Sequence, residues 1–578
     1  MVPQFARYDT FAFDIETTGL NPFDSRILLM QIGFPEKEYI VPVHSVDIGP
    51  ILSFLSSPKW TKIIQNAKFE QKFLQYYYNT PLRGVFDTML AEQIINSQKY
   101  PTGLKALAHK YAGINLDKDA QRTFIEMKPM EMFSSEQLSY AAKDVEVLFP
   151  IYTAQKQALQ SENMLKVAEI EFALAEVVAA MELEGIPIDK AMWQNKIEHY
   201  SELHEKSRLK MHEYFFDGTN VDEQMGLFIR DAINLNSPKQ LLIAFARMGI
   251  SLENTDERSL SLLDHPAAKE LLKYREYQKI LSAYGKSFLE KIHPFTNRIH
   301  PDFHQIGTET GRFSCREPNV QQIPEEFRKC VSLSDYKVVG ADYANMELRI
   351  IAELSNDTSL IEAFNLGDDP HKSTAAAMFN IRLEDVTKEQ RFQAKTINFA
   401  LAYGAGRLRL MDMLNFNKSK KDYLSIQKVT SLVNQYKSTY SRAVQWFYEA
   451  GDKAYRLGYS ETMLGRKRYF NRPSGTDAES FGQQVAAIKR QGGNAPIQGT
   501  NADITKSAMV NLHNDLDQYG FRAKIIIQVH DEIVVLAHKS NAEGVKQVVE
   551  ESMLRSAQEI LKTVPVKIDT YVSDVWKK

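Results

Sequence analysis

The chain has little that would tie it to an oxidising compartment or to a zinc-built fold. Among 578 residues there are two cysteines, Cys315 and Cys330, and they share no CxxC spacing. A disulfide framework and a structural zinc site are therefore not expected. No apolar run approaches the roughly 20 residues that span a bilayer, so no membrane partner is expected. The opening MVPQFARYDTFAFDIE lacks an apolar segment behind a basic one, which argues against a secretory leader. There is no internal repeat and no low-complexity linker. Nor is there a surplus of one charge: 70 Lys and Arg against 73 Asp and Glu leave a net charge of −3. That balance excludes no nucleic-acid partner, because an acidic metal centre and a basic groove cancel in the total. What remains is an ordinary globular composition, 44% hydrophobic and 25% charged, on a chain too long for one core.

Patterning divides the chain. Apolar runs at residues 11–15, 27–34 and 39–43 read as strands, and TGLKALAHKYAG and SSEQLSYAAKDVEVLFPIY read as helices, so the first region is α/β. Residues 155–292 keep a helical period almost throughout. Beyond residue 297, VVGADY and KIIIQVHDEIVVLA read as strands among long helices. The expected organisation is two catalytic units joined by a helical arm.

In the first unit, Asp14 and Glu16 sit two apart on a strand and share a face. Glu70 follows in NAKFE, and Tyr140 and Asp144 lie one helical turn apart. Alone, each acid is more simply a solvated surface charge. Together they could hold two metals and activate a water, as phosphodiester hydrolysis requires. In this order the residues, with Asp87 in FDTMLAEQ, resemble the tyrosine-bearing DEDD exonucleases over roughly residues 8–155. One departure is Glu70, where that superfamily usually has Asp.

In the second unit, Asp342 ends an apolar strand and Asp531 lies between two β-branched runs, as at a hairpin turn. Two aspartates brought together there could bridge two Mg²⁺ ions. Between them Arg391, Lys395, Phe399 and Tyr403 recur every four residues and line one helix face, two cations followed by two rings. An isolated HDE or an Arg-x₃-Lys is commonplace, but order and number separate this set from chance. The segments resemble motifs A, B and C of the family A DNA polymerases, the bacterial DNA polymerase I type. Arg298-Ile-His300, Thr308-Glu-Thr310-Gly311-Arg312, Asp369-Pro-His371, Gly465-Arg466 and Arg490-x₃-Asn494-x₃-Gln498 extend the match. NLNSPKQLL and YREYQKILSAY resemble the family's thumb.

The resemblance implies an α/β multidomain fold: an RNase H-like DEDD exonuclease domain (1–158), a helical thumb (159–297), a palm in two parts (298–366 and 486–578) and fingers (367–485). It implies a template-directed DNA polymerase with a 3′→5′ exonuclease. Asp342 and Asp531 would ligate two Mg²⁺ ions, with Glu532 an auxiliary carboxylate. Arg391, Lys395 and His371 would hold the triphosphate, Lys395 also protonating the leaving pyrophosphate. Phe399 and Glu347 would frame the sugar, and Tyr403 would fill the insertion site until the fingers close. Arg312, Arg490, Asn494, Gln498 and His530 would touch the primer–template near its growing end, and Arg275 and Lys279 its backbone. Asp14, Glu16, Glu70 and Asp144 would bind two Mg²⁺ or Mn²⁺ ions, with Tyr140 orienting the water. The expected partners are primer–template DNA and dNTPs, for a monomer in the cytoplasm of a bacterium or phage-infected cell, or in an organelle. Neither a 5′-nuclease domain nor a thioredoxin-type clamp is expected. Two other readings, a nuclease whose second half only positions DNA and a catalytically dead DNA-binding protein, leave Asp342, Asp531, Arg391 and Lys395 without a purpose.

Three departures accompany the match. Motif A reads DYANMELR, the stretch after Ile323-Pro324 is short and lacks a clear match for an arginine the family often places near the triphosphate, and Ser573 replaces a usual glycine. Phe399 carries a testable consequence of the resemblance, because phenylalanine there goes with rejection of dideoxynucleotides. A hydrogen bond to a charged group is worth about 1.5–3 kcal/mol, so Phe399→Tyr should raise ddTTP use relative to dTTP by one to two orders of magnitude. Steady-state incorporation by both proteins checks this, and unchanged selectivity would remove Phe399 from the nucleotide site.

Overall fold

In the computed structural model the described residues are 5, 7–97, 100–116, 119–125, 127, 131–215, 233–367, 369–402, 406–416, 422–474 and 477–577. The first sheet contains β1 (Thr10–Thr17), β2 (Ile27–Phe34), β3 (Lys37–Pro42), β4 (Thr61–Ile64) and β5 (Val85–Asp87) in the order β3-β2-β1-β4-β5. β2 runs antiparallel to both β1 and β3, whereas β4 runs parallel to both β1 and β5. Alternation along β1 sends Phe11, Phe13 and Ile15 to one face, against Phe73 and Leu74 of α1 (Ala67–Tyr78). Ala12, Asp14 and Glu16 take the other. Helix α2 (Thr88–Asn96) follows β5, and α3 (Ser135–Glu146), opened by a Ser134–Gln137 capping box, crosses the second face.

Helix α4 (Leu165–Glu184) is buried around most of its circumference, with only Lys166, Glu169 and Ala173 exposed, so its apolar residues spread beyond a single stripe. Val167, Ala168 and Phe172 join the core of the first unit, and Leu174, Val177, Val178 and Met181 join the main core of the second. Two long helices, α5 (Lys190–Phe215) and α6 (Pro266–Tyr284), then pair into an arm closed by its own small apolar cluster.

The second sheet has the order β7-β8-β6-β9, all antiparallel, from β6 (Tyr336–Tyr343), β7 (Ala523–Val529), β8 (Glu532–His538) and β9 (Ile568–Ser573). Gly340 in β6 is required by contact, since a Cβ there would lie 2.2 Å from the Tyr571 ring of β9. Helices α7 (Met346–Ser355), α8 (Pro370–Phe379) and α9 (Lys388–Ala402) follow β6. The 41-residue α10 (Ala478–Gln518) packs against α4 and against α11 (Ala542–Gln558), which in turn packs on the sheet.

Two buried glutamates of α4 bind the units together. Glu171 receives Arg466 Nη2 at 2.6 Å, Lys506 Nζ, and Gln305 Nε2 at 3.1 Å. Arg466 also donates to Asp503 at 2.7 Å. Gly311 lies against this guanidinium with φ +81°, and any side chain there would strike it. Glu182 receives Lys68 at 2.7 Å and Lys72 at 2.9 Å from α1, and the Phe303 amide at 2.8 Å. Removing one partner of such a network leaves a buried charge uncompensated, at a cost of about 3–5 kcal/mol. Arg466→Met should lose stability on that scale in urea denaturation; a loss below about 1 kcal/mol would show that water reaches the network.

Candidate active sites

The first cluster forms where α3 crosses β1. One oxygen from each of Asp14, Glu16 and Asp144 lies within 4.8 Å of the others. Tyr140, one turn before Asp144, hydrogen-bonds to it, and burial together with the charges of Asp144, Glu16 and Asp14 raises the phenol far above its ordinary range. Glu70 enters from α1. Its side chain, one methylene longer than Asp, still reaches Asp14 in a hydrogen bond, and burial followed by the Asp14 charge holds its carboxyl well above the usual range. Its Oε2 is buried with no hydrogen-bond partner among the described residues. Crowded, hard oxygen donors of this kind fit a divalent cation such as Mg²⁺ or Mn²⁺.

Asp87 does a different job. Its carboxylate accepts from the backbone amides of Asn66, Ala67, Met89 and Leu90, at 3.2, 2.7, 2.8 and 3.1 Å. One carboxylate thus ties the starts of α1 and α2 together and sets where Glu70 stands. Burial nevertheless raises it to about 6.

The second cluster forms at the end of β6. Val529 pairs with Glu532, leaving His530 and Asp531 as a two-residue turn, with His530 at φ +56°. Asp531 comes within hydrogen-bonding reach of Asp342, and burial, then the Asp342 charge, pushes its carboxyl far up. Such a pair also suits a hard divalent cation, which would relieve the repulsion. Glu532 is in register with Asp342, but its Oε1 accepts from Trp576 Nε1 at 3.1 Å and Tyr571 Oη at 3.4 Å. Asn345 precedes α7 with φ +56°, a conformation asparagine tolerates better than most residues. In the first turn of α7, Glu347 is ion-paired with Arg312. His530 lies within electrostatic reach of Arg312, Glu347 and Asp342.

Asp369 caps α8 through the amides of His371 and Lys372, and its other oxygen receives Arg391 Nε at 2.5 Å. His371 is buried, and its Nδ1 accepts from the Asn398 amide at 2.9 Å, which places the ring proton on Nε2. Burial lowers its pKa to about 4, outweighing the opposing charge of Asp369. Lys395 is exposed on the same face of α9. The side chain of Phe399 and the whole of Tyr403 lie outside the described residues.

Arg490, Asn494 and Gln498 share one face of α10, the first exposed and the others half-buried. The buried Asn494 Oδ1 has no hydrogen-bond partner among the described residues. Lys279 is exposed on α6. On the same helix Arg275 donates from Nη1 and Nη2 to the carbonyl and the hydroxyl of Thr255. Sequence reasoning missed Asn398, although its place three residues after Lys395 puts it one turn further along α9. It also assigned no role to Asp369.

Comparison with known proteins bears on both clusters. Residues 213–578 match the family model described as DNA polymerase family A, and residues 1–160 match that of a 3′-5′ exonuclease. The chain is 30% identical to the DNA polymerase I of Aquifex aeolicus, over 98% of this chain and 95% of that one. It is 31% identical to the DNA polymerase I of Pseudomonas aeruginosa over 98% of its own length, spanning 63% of that longer protein. Among solved structures, the POL domain of Pol1 from M. smegmatis, in complex with DNA primer-template and dNTP, is similar with a TM-score of 0.82 at 25% identity, covering 98% of this chain and 95% of that one.

The buried histidine yields a stability prediction. His371 is neutral in the folded chain down to about pH 4, whereas an unfolded histidine takes a proton near pH 6.5. Stability should therefore be complete above pH 6.5 and fall as pH drops toward 4, by about 2–3 kcal/mol from this residue. Urea denaturation of wild type and His371→Gln across that window should show the variant with the shallower acid dependence. Equal slopes would mean that the imidazole is solvated.

Proposed function

The chain belongs to DNA polymerase family A and is a template-directed DNA polymerase with a 3′→5′ exonuclease domain, and we propose the following division of labour among its residues. The observation that carries it is the meeting of Asp342 and Asp531, from a strand end and a hairpin turn. Asp342 and Asp531 hold divalent cations at the polymerase site; Asp14, Glu16, Glu70 and Asp144 hold them at the exonuclease site. When bound, the cations would supply charge that lowers the pKa of the attacking hydroxyl or water and neutralises phosphate oxygens.

In synthesis the primer 3′-oxygen forms a bond to the α-phosphorus of a dNTP while the bond to pyrophosphate breaks. Arg391 binds the triphosphate, with Asp369 holding its guanidinium in place. His371 donates from Nε2 as a neutral group, because Asn398 occupies Nδ1. Lys395, exposed on α9, protonates the departing pyrophosphate. Phe399 and Tyr403 face the sugar and the insertion site, and Glu347 excludes a 2′-hydroxyl. Arg312, His530, Asn494, Gln498 and Arg490 bracket the primer–template, where minor-groove acceptors are nearly the same for every base pair, so such contacts read pair shape. Lys279 and Arg275 neutralise backbone phosphate. At the exonuclease site Tyr140 and Glu16 orient the attacking water, and the reaction removes misincorporated 3′ nucleotides. We assign residues 1–158 to the exonuclease, 159–297 to the thumb, 298–366 and 486–578 to the palm and 367–485 to the fingers. The chain works as a monomer in the cytoplasm, without a thioredoxin-type clamp.

The two sites should separate by mutation. Asp531→Asn should reduce primer extension at least a hundredfold while single-stranded 3′ ends are still degraded. Asp14→Ala with Glu16→Ala should do the reverse. Extension above a few percent of wild type in Asp531→Asn would overturn the polymerase assignment.

A further inference from the structure

Gln31 lies at the centre of β2, fully buried, and is the direct cross-strand partner of Asp14 in β1. Directly paired residues share a face, with Cβ atoms about 4.5–5.5 Å apart, so the glutamine side chain stands beside the Asp14 carboxylate. The neighbours confirm the face. Met30 and Ile32 point into the core that contains Phe13 and Ile15, whereas Leu29 packs with Ala141 of α3, and a Cβ on Gly33 would touch Val145 and Ala12. Gln31, between Leu29 and Gly33, therefore lies under the turn of α3 that carries Asp144. It shares the face of the sheet that carries Asp14 and Glu16.

The amide is out of place as a packing residue. Neither its Nε2 nor its Oε1 has a hydrogen-bond partner among the described residues, and both atoms are buried. A buried amide left unsatisfied costs free energy, and such groups call for a functional explanation. A methionine or leucine would fill the same space between Leu29 and Gly33 without that cost.

We propose that Gln31 is a positioning residue of the exonuclease site, whose Nε2 donates to the Asp14 carboxylate oxygen turned away from a bound divalent cation and so orients the other oxygen as a ligand. The inference rests on reading Asp14, Glu16 and Asp144 as a metal site. Partners that orient a ligating group in this way typically change metal affinity 10–100-fold.

The test is Mn²⁺ binding followed by electron paramagnetic resonance on the full chain, in an Asp342→Asn/Asp531→Asn background that removes the second cluster. Gln31→Met should melt at the same or a higher temperature than its parent without metal, yet bind Mn²⁺ about tenfold more weakly. Gln31→Asn, which keeps the amide one methylene short, should fall between the two. A merely structural glutamine would not move stability and metal affinity in opposite directions. Mn²⁺ affinity of Gln31→Met within twofold of the parent would overturn the proposal. If that variant lacks a cooperative melt, an unchanged affinity in Gln31→Asn overturns it instead. A parent without an Mn²⁺ site sensitive to Asp14→Ala would sink the metal reading itself, and the inference with it.

Discussion

The rest of the structure depends on α4 and its two buried glutamates. Charges taken out of water are costly unless each finds partners, and Glu171 and Glu182 find theirs on different bodies of the protein. They stand about 16 Å apart along the helix, so one end of α4 gathers Arg466 and Lys506 and the other gathers Lys68 and Lys72. A hydrophobic contact alone would tolerate sliding. Paired charges in a dry interface accept one geometry, because any displacement strands an ion. The same α1 that sends Lys68 and Lys72 to α4 sends Glu70 to Asp14, so the docking of the two units and the shape of the first cluster are set by one helix.

Both clusters are assembled against electrostatic resistance. Glu70 and Asp531 have carboxyls pushed upward by burial and by a neighbouring aspartate, so the fold holds acids where each disfavours the other's charge. Perturbed acids of this kind gather at functional sites, where an arriving cation relieves the repulsion. Each site also has an acid outside the cluster that builds the frame. Asp87 ties two helix starts beside Glu70, and Asp369 caps α8 while holding Arg391. In sequence these frame acids look the same as the cluster acids. What separates them is that backbone amides fill the acceptor positions of Asp87.

Much of the fold was legible because periodicity is local. The runs at 11–15 and 27–34 became β1 and β2, and the spacing of Tyr140 and Asp144 became one turn of α3. The hairpin at His530-Asp531 followed from two β-branched runs with two polar residues between them. The link from Arg275 to Thr255 was not legible, because an arginine on an arm helix shows no partner in its own sequence and Thr255 lies 20 residues earlier.

By itself the sequence determined the order of the elements, the faces on which Asp14 and Glu16 or Arg391 and Lys395 lie, and the residue types that chemistry at phosphorus needs. Those properties depend on bond geometry and on repeats of two or 3.6 residues, so neighbours along the chain suffice to specify them. Only the tertiary structure decided that Glu70 reaches Asp14, that Asp342 meets Asp531, that Asn398 fixes the His371 tautomer, and that Gln31 pairs across the strands with Asp14. Each of these is a contact between distant segments whose worth depends on how completely water is excluded around it, and burial is a property of the packed whole.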